Sequence, residues 1–403
     1  MEENPSGVQK ADIVVAIPTF NEVTTIANVT SKVDEGLRLH YPSLKSVIVN
    51  CDNCSTDGTK EAFLATETHS EKVYLSTPPG VRGKGNNLRN FFSWVRDLQP
   101  EVVVIIEADI RNIKPLWIYC LVEPILKGAG FVVPLYVSHK YESTIESLVL
   151  YPLLRCLYGR RLRRPAVGEC AFGQQLVDAY SKAEVWSQGV GEDGIDIWMV
   201  TEAIKARVPL CQSFLGAPKV HRLKEPFSQI NRAFSNMVGV FFDLMGPFQD
   251  LWLKVKWSRP TILFNADTLD VEAIAPMEVN IYRLYDLYAR GFDRYKFRLE
   301  SILHLPEMRK LEEVRNLGFG NFAFPDHTWA IVLFDFALAY RDASPEDREE
   351  ILDALLPLYY GKVVSFVKKT ERMSTQQAEE VIEKECMVFE ENKRYLVNNW
   401  IKT

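Results

Sequence analysis

Three observations predict an α/β protein with a mostly parallel sheet flanked by helices and a helical C-terminal extension. Short, apolar, β-branched runs alternate with helical stretches from residue 12 to residue 109, the pattern of strand–helix–strand units. Three of those runs end in polar clusters, PTFNE at 18–22, DNCSTDGT at 52–59 and EADIRN at 107–112. From about Glu225 onward the chain reads mostly as amphipathic helix. At 403 residues the chain exceeds the size at which one core keeps growing, so two parts are expected. The division is placed at 1–224 and 225–403.

The elements follow in order. The run DIVVAIPT at 12–19 is a buried strand feeding a loop, and a helix is expected over about 23–39. The strand SVIVNCD, a helix after Asp57, the strand KVYLST, a helix over about 86–98 and the strand EVVVIIEAD complete the alternation. Past Leu135 the order is less regular, with helix near 141–157 and 194–206 and a strand-like PLCQSFLG before KVHR. The first part is expected to close near Arg222. The later part, broken at Pro260 and near Pro325, reads as packing or assembly surface.

Composition narrows the function classes. Hydrophobic residues make up 47% and charged residues 25% of the chain, an ordinary globular balance. A net charge of −6 provides no global basic field, which argues against nucleic-acid binding. The opening MEENPSGVQK is polar and acidic, and the apolar stretch 237–253 is interrupted by Asp243, Pro247 and Asp250. No membrane span and a cytoplasmic location are therefore expected. Seven scattered cysteines do not form a disulfide framework. Cys51 and Cys54 form a lone C-x-x-C with no second pair at zinc-site spacing, so buried thiols are expected.

In open parallel sheets ligands bind beyond the carboxyl ends of the strands, so the polar clusters are the candidate site. Glu107 and Asp109 offer hard oxygen ligands at D-x-D-like spacing, suited to Mg2+ or Mn2+ beside a diphosphate; two acids at a strand end are also what a solvated loop shows. Glu22 and Asp52 stand where carboxylates bind ribose hydroxyls or a base edge, or else serve as first-turn acids of the next helix. Arg82 and Lys84, among Gly80, Gly83 and Gly85, can bring cations and backbone to a phosphate. Their loop matches neither G-x-G-x-x-G nor a Walker sequence.

The order PTFNE, DNCSTDGT, GKGNN and EAD resembles the nucleotide-sugar-binding domain of GT-A glycosyltransferases, whose usual forms are P-x-x-N-E, DDGSTDGT, G-K-G and D-x-D. The resemblance implies a GT-A fold, Rossmann-like, and an enzyme that uses a nucleotide-diphosphate sugar. Pro18, Thr19, Asn21, Glu22, Asp52, Asn53, Gly83, Lys84 and Ala108 would line the donor, with Asp109 on the metal. Farther along, YPLLRC, GEC, DGIDIW, KVHR and KEP resemble the retaining glucosyl-3-phosphoglycerate and glucosylglycerate synthase family. By that resemblance His221 is the third metal ligand with Asp109 and Glu107, although Glu107 departs from the usual aspartate. Asp196 lies near the reacting sugar, with Glu192 as its alternative and Lys84 as the third catalytic group.

The basic run YGRRLRRPAVGE can grip an anion through bidentate arginines or form a solvated turn. Arg163, Arg164, Gly168 and Glu169 are the residues assigned to a small anionic acceptor. The implied activity is transfer of a hexose, glucose foremost, from GDP- or UDP-glucose to D-glycerate or 3-phosphoglycerate, with retention and same-face attack, in a homodimer. The rival readings are an inverting family 2 type transferase with a lipid-phosphate or polysaccharide acceptor, and a non-catalytic nucleotide-sugar-binding scaffold.

Overall fold

A computed structural model describes residues 2–402 except Val167, Val185, Asp193 and 222–225, and the side chains of 226–229 also lie outside the described set. The chain forms two compact units, Met1–Ser138 with Arg164–Lys224 and Thr261–Ile274, and His139–Arg163 with Glu225–Pro260 and Ala275–Thr403. A single cut at 224 was expected, and the units are instead interleaved. The expected closing point near Arg222 lies outside the described residues.

The first unit is built on a nine-stranded sheet: β1 (Glu2–Glu3), β2 (Ile13–Thr19), β3 (Ser46–Asp52), β4 (Glu71–Ser76), β5 (Val102–Ile105), β6 (Phe131–Leu135), β7 (Cys170–Gly173), β8 (Leu210–Phe214) and β9 (Ile262–Phe264). Their spatial order is β1-β4-β3-β2-β5-β7-β6-β8-β9. Strands β4, β3, β2 and β5 run parallel, as do β6, β8 and β9, while β7 is antiparallel to β5 and β6 and β1 is antiparallel to β4. The predicted mostly parallel sheet is thus present, with β7 reversing direction at its centre. Valine and isoleucine on β2, β3 and β5 are buried on both faces, which explains runs that do not alternate in polarity.

Strand order reverses between β2 and β5, with β3 and β4 lying on the far side of β2. This switch opens a crevice at the carboxyl ends of the central strands. Helices Ile26–His40, Thr59–Ala65 and Lys84–Val95 fall close to the expected positions. The expected strand through 109 stops at Ile105, leaving 107–109 as loop, although the Ile106 amide still donates to the Ala16 carbonyl. Helix Pro115–Leu126 and strands β6, β7 and β9 were not foreseen. Strand β6 contains Pro134, a residue that argues against a strand interior. Strand β9 joins the sheet because its ILF run pairs in parallel with 211–213 of β8, which returns 261–274 to the first unit.

The second unit is helical. Its long helices are Pro226–Met245, Ile281–Arg294, Asp326–Asp342, Pro345–Thr370 and Thr375–Ile401. Helix Tyr151–Tyr158 belongs to it because all eight residues are buried and Arg155 donates to Glu390 at 2.7 Å and to Glu383. Lys393 ties down three backbone carbonyls at once, donating to those of Leu157, Trp252 and Val255 at 2.7–3.1 Å. Lys362, 2% exposed, bridges Asp326 at 2.6 Å and Glu385 at 3.1 Å. All seven cysteines are free thiols, six of them buried. Among the described residues no helix is long and apolar enough to cross a membrane.

Glu385 gives this unit a pH signature. Burial pushes its carboxyl up to about 7 despite the facing Lys362 ammonium, with Asp326 adding to the rise. A carboxyl raised in the folded state binds a proton there that the unfolded chain has already released, so stability falls as pH rises from the ordinary glutamate value toward 7. Relative to Glu385→Gln, the native chain should therefore gain about 1–3 kcal/mol of unfolding free energy on going from pH 7.5 to pH 5, as read by urea unfolding of both proteins at the two pH values.

Candidate metal-assisted active site

The crevice is lined by a chain of buried ion pairs. Lys84, the first residue of helix Lys84–Val95, donates from Nζ to Glu107 Oε1 at 3.0 Å, to Asp196 Oδ1 and Oδ2 at 3.0 and 3.1 Å, and to the Gly168 carbonyl at 3.4 Å. Lys219 donates to Glu107 Oε2 at 2.9 Å and to Glu169 Oε2 at 2.8 Å. The Tyr136 hydroxyl donates to the same Glu169 oxygen at 3.1 Å. Side-chain exposure is 16% for Lys84, 14% for Asp196, 6% for Lys219 and nil for Glu169, so these charges interact through protein more than through water.

At the outer end of the chain Asp109 Oδ1 lies 3.1 Å from His221 Nδ1. The histidine arrives on a strap, 218–221, laced to the loop after β5. The Arg111 amide donates to Val220 O at 2.8 Å, the Val220 amide to Asn112 Oδ1 at 2.9 Å, and Asn112 Nδ2 to Pro218 O at 2.7 Å. Glu107, Asp109 and His221 each bring one potential ligand atom within 4.8 Å of the others. Two carboxylates and an imidazole form a donor set that suits Mg2+ or Mn2+.

Two ammonium groups, Lys84 and Lys219, are shared among three carboxylates, Glu107, Glu169 and Asp196. The titration behaviour follows from how the lysines are shared. Burial favours the neutral form of Glu107, but contact with both Lys219 and Lys84 outweighs it and holds this carboxyl well below the usual range. Asp196 and Glu169 each touch one lysine, so burial wins and both carboxyls are raised. Burial likewise works against the charge on each lysine, and the carboxylates overcome it, Asp196 and Glu107 for Lys84, Glu107 and Glu169 for Lys219.

Glycines shape the cavity more than they loosen it. A Cβ on Gly85 would stand 1.8 Å from the Val190 carbonyl, and one on Gly83, where φ is +103°, would stand 2.3 Å from the Gly191 carbonyl. The Gly85 amide donates to Glu192 O at 2.8 Å. The loop expected to wrap a phosphate is thus packed at these two positions against the turn preceding helix Ile195–Lys205, and that packing aligns Lys84 with Asp196. Gly168, with φ +95°, leaves the space in which the Glu107 carboxylate sits, 2.3 Å from where a Cβ would be.

The remaining sequence-assigned residues divide into two groups. Thr19, Asn21, Glu22, Asp52 and Asn53 cluster at the ends of β2 and β3. Asp52 accepts from Thr19 Oγ1 at 2.9 Å, from the Ser55 amide at 2.8 Å and from the Tyr74 hydroxyl at 2.8 Å. The Asn21 amide donates to Ser55 Oγ, Thr56 N to Asn21 Oδ1, Glu22 N to Thr59 Oγ1 and Asn53 N to Thr19 O, all at 2.8–3.0 Å. Asp52 therefore locks the two loops together, which is the structural role a first-turn acid can take. Pro18 and Ala108 are half-buried and buried beside them.

The other group departs from expectation. Arg163 belongs to the helical unit, where Nε and Nη2 donate to Glu379 at 2.6 and 2.8 Å and Nη2 also donates to Ser147 Oγ at 3.0 Å. Arg164 lies buried in the sheet-bearing unit, as do Gly168 and Glu169. The Glu192 carboxylate accepts from Gln188 Nε2 at 3.3 Å while Asp196 takes the Lys84 contact, so Asp196 is the acid in the cluster. Asp193 lies outside the described residues. Lys219 was not singled out from the sequence, yet its position two residues before His221 was the available signal, since i and i+2 share a face in extended chain.

With this geometry in place, the chain can be compared with known proteins. Residues 14–181 match the profile of Glycosyl transferase family 2. This stretch is similar to family 2 glycosyl transferase domains. Glucosyl-3-phosphoglycerate synthases of Mycobacterium tuberculosis and Mycobacterium bovis are each 26% identical to the chain over 197 residues, covering 44% of it and 59% of the relative. The chain spans less than two thirds of the length of those curated relatives. A crystal structure of the M. tuberculosis synthase with Mn2+, UDP-glucose and phosphoglyceric acid aligns at a TM-score of 0.43 and 23% identity, covering 59% of this chain and 79% of that one. The match ends at Ser181, the last residue of helix Gln174–Ser181, before Asp196, Lys219 and His221.

Gly168→Ala tests the cavity around Glu107. The added methyl meets both the carboxylate and a left-handed backbone, and overpacking together with that conformation should cost about 1–3 kcal/mol. Calorimetry should show Tm falling by a few degrees, whereas Gly80→Ala, also at positive φ but with open space around it, should lose less.

Proposed function

We propose that the chain is a metal-dependent glycosyltransferase that moves a hexose, glucose foremost, from a nucleotide-diphosphate sugar to D-glycerate or 3-phosphoglycerate with retention of configuration. The observation that carries this reading is the convergence of Lys84, Glu107, Asp109, Asp196 and His221 at the carboxyl ends of the central strands. The family 2 domain match supports the transferase class. The named activity of the mycobacterial relatives supports the acceptor class.

On this reading Asp109 and His221 would hold Mg2+ or Mn2+, with the Glu107 carboxylate close by. Bound there, the ion supplies Lewis acidity that neutralises the departing diphosphate. The chain's own groups do the rest. Lys84 places a fixed positive charge beside the leaving group and keeps Asp196 oriented toward the sugar. Asp196, its carboxyl raised by burial, is suited to hydrogen-bond a sugar or acceptor hydroxyl. The loops joined through Asp52 hold Pro18, Thr19, Asn21, Glu22 and Asn53 around the nucleoside. Arg164, Gly168 and Glu169 stand on the acceptor side, and Arg163 pairs with Glu379. A soluble, cytoplasmic homodimer is part of the same proposal.

The test is a donor and acceptor screen, with GDP- and UDP-glucose and their mannose counterparts against D-glycerate and 3-phosphoglycerate, read by mass spectrometry. A hexosyl-glycerate product that disappears with chelator is expected, and NMR of that product should show the donor's anomeric configuration. Asp109→Ala should lower kcat/KM by about a hundredfold or more. No product from any pair, or an inverted anomer, would overturn the corresponding part of the reading.

A further inference from the structure

Lys219 stands apart from the other charged groups of the crevice. It arrives on the same strap as His221, two residues earlier, and its ammonium is 6% exposed between Glu107 and Glu169, with its Nζ 5.7 Å from the centre of the Tyr136 ring. Because Lys84 occupies Glu107 Oε1 and Lys219 occupies Oε2, both oxygens of that carboxylate carry a lysine. Asp109 Oδ1 lies 3.1 Å from the imidazole Nδ1 of His221. Yet Glu107 brings a carboxylate oxygen within 4.8 Å of a potential ligand atom on each of those two residues. A carboxylate so placed would join a divalent ion unless something else held it.

We propose that Lys219 is a positioning residue that withholds Glu107 from the metal, so that the ion is held chiefly by Asp109 and His221 and keeps a coordination position for diphosphate oxygen. This inference rests on the glycosyltransferase reading above. Catalytic metal sites work with open positions, and each added carboxylate tightens the site while filling one. Lys219 acts through Glu107, and Glu169 anchors Lys219 from the other side, with Tyr136 in turn fixing Glu169. Two lysines on one carboxylate thus limit the ligand count without removing the carboxylate from the sequence.

The test uses the full chain and Mn2+ alone, with binding followed by electron paramagnetic resonance. Lys219→Met combined with Glu169→Gln removes one positive and one negative charge, so the net charge of the cluster is unchanged and no buried carboxylate is orphaned. The expected result is an Mn2+ Kd at least about threefold lower than in the native chain, with a raised KM for the nucleotide sugar. Adding Glu107→Gln to that pair should abolish the gain in affinity. Lys219→Arg, which retains the contact, should bind Mn2+ as the native chain does and provides the reference if the paired variant fails to fold; an Arg variant binding at least threefold tighter would count against the proposal.

An unchanged or weaker Kd in the paired variant would overturn the inference while leaving the transferase reading intact, as would a gain that persists without the Glu107 carboxylate. A native chain that binds no Mn2+ would overturn both. If the paired variant does not fold, Glu107→Gln in the native background decides, since a carboxylate already withheld from the ion should leave Kd within about twofold, and a larger loss would sink the idea.

Discussion

Two lysines shared among more carboxylates than they can neutralise set the terms for the rest of the crevice. Glu107 receives both ammonium groups and stays ionised at low pH, while Asp196 and Glu169 receive one each and are raised by burial. Such an arrangement holds only if every participant is fixed from outside. Lys84 is fixed by the glycines that press its loop against 190–192, Lys219 by the strap laced to Asn112, and Glu107 by the space at Gly168. The sheet topology brings these pieces together because the chain reverses its order of strands beside β2. Unpaired buried charge is costly, which explains why so much local backbone is devoted to holding a handful of side chains.

The nucleotide side depends on a different device. Asp52 is fully buried and receives four donor groups, from Thr19, Ser55 and Tyr74. It ties the loop after β3 to the loop after β2, and Asn21, at φ 56°, completes the link. The DNCSTDGT segment is therefore a clasp whose hydroxyl and carboxylate groups substitute for secondary structure. Its residues shape the nucleoside side of the crevice largely through each other.

Much of the first unit could be read from the sequence because its strands are buried on both faces and its loops carry polar residues in a fixed order. Lys84, Asp109, Asp196 and His221 were legible for the same reason, since each lies in a short recognisable segment. Strand β7 was not, being four residues long and ending in glycine, nor was β9, whose three residues gain their identity only by pairing with β8. The pairing of Arg163 with Glu379 was not legible, because sequence shows a cation's presence but not which acid it meets, and Glu379 lies 216 positions away. Lys219 was overlooked for the complementary reason, since an isolated lysine reads as surface until Glu107 and Glu169 are seen to enclose it.

The interleaving of the two units bears on how the polypeptide matures during synthesis. The sheet cannot receive its last strand until 264 has left the ribosome, although β1 to β5 are complete by 105. The segment His139–Arg163 must wait longer still, because Glu383 and Glu390, the acids that neutralise its buried Arg155, are made more than two hundred residues later. In that interval eight consecutive residues destined for the interior, Tyr151 to Tyr158, have no finished partner surface. Nascent chains in this condition are open to premature association, so this segment is the part of the chain most exposed to it before Glu383 and Glu390 are made.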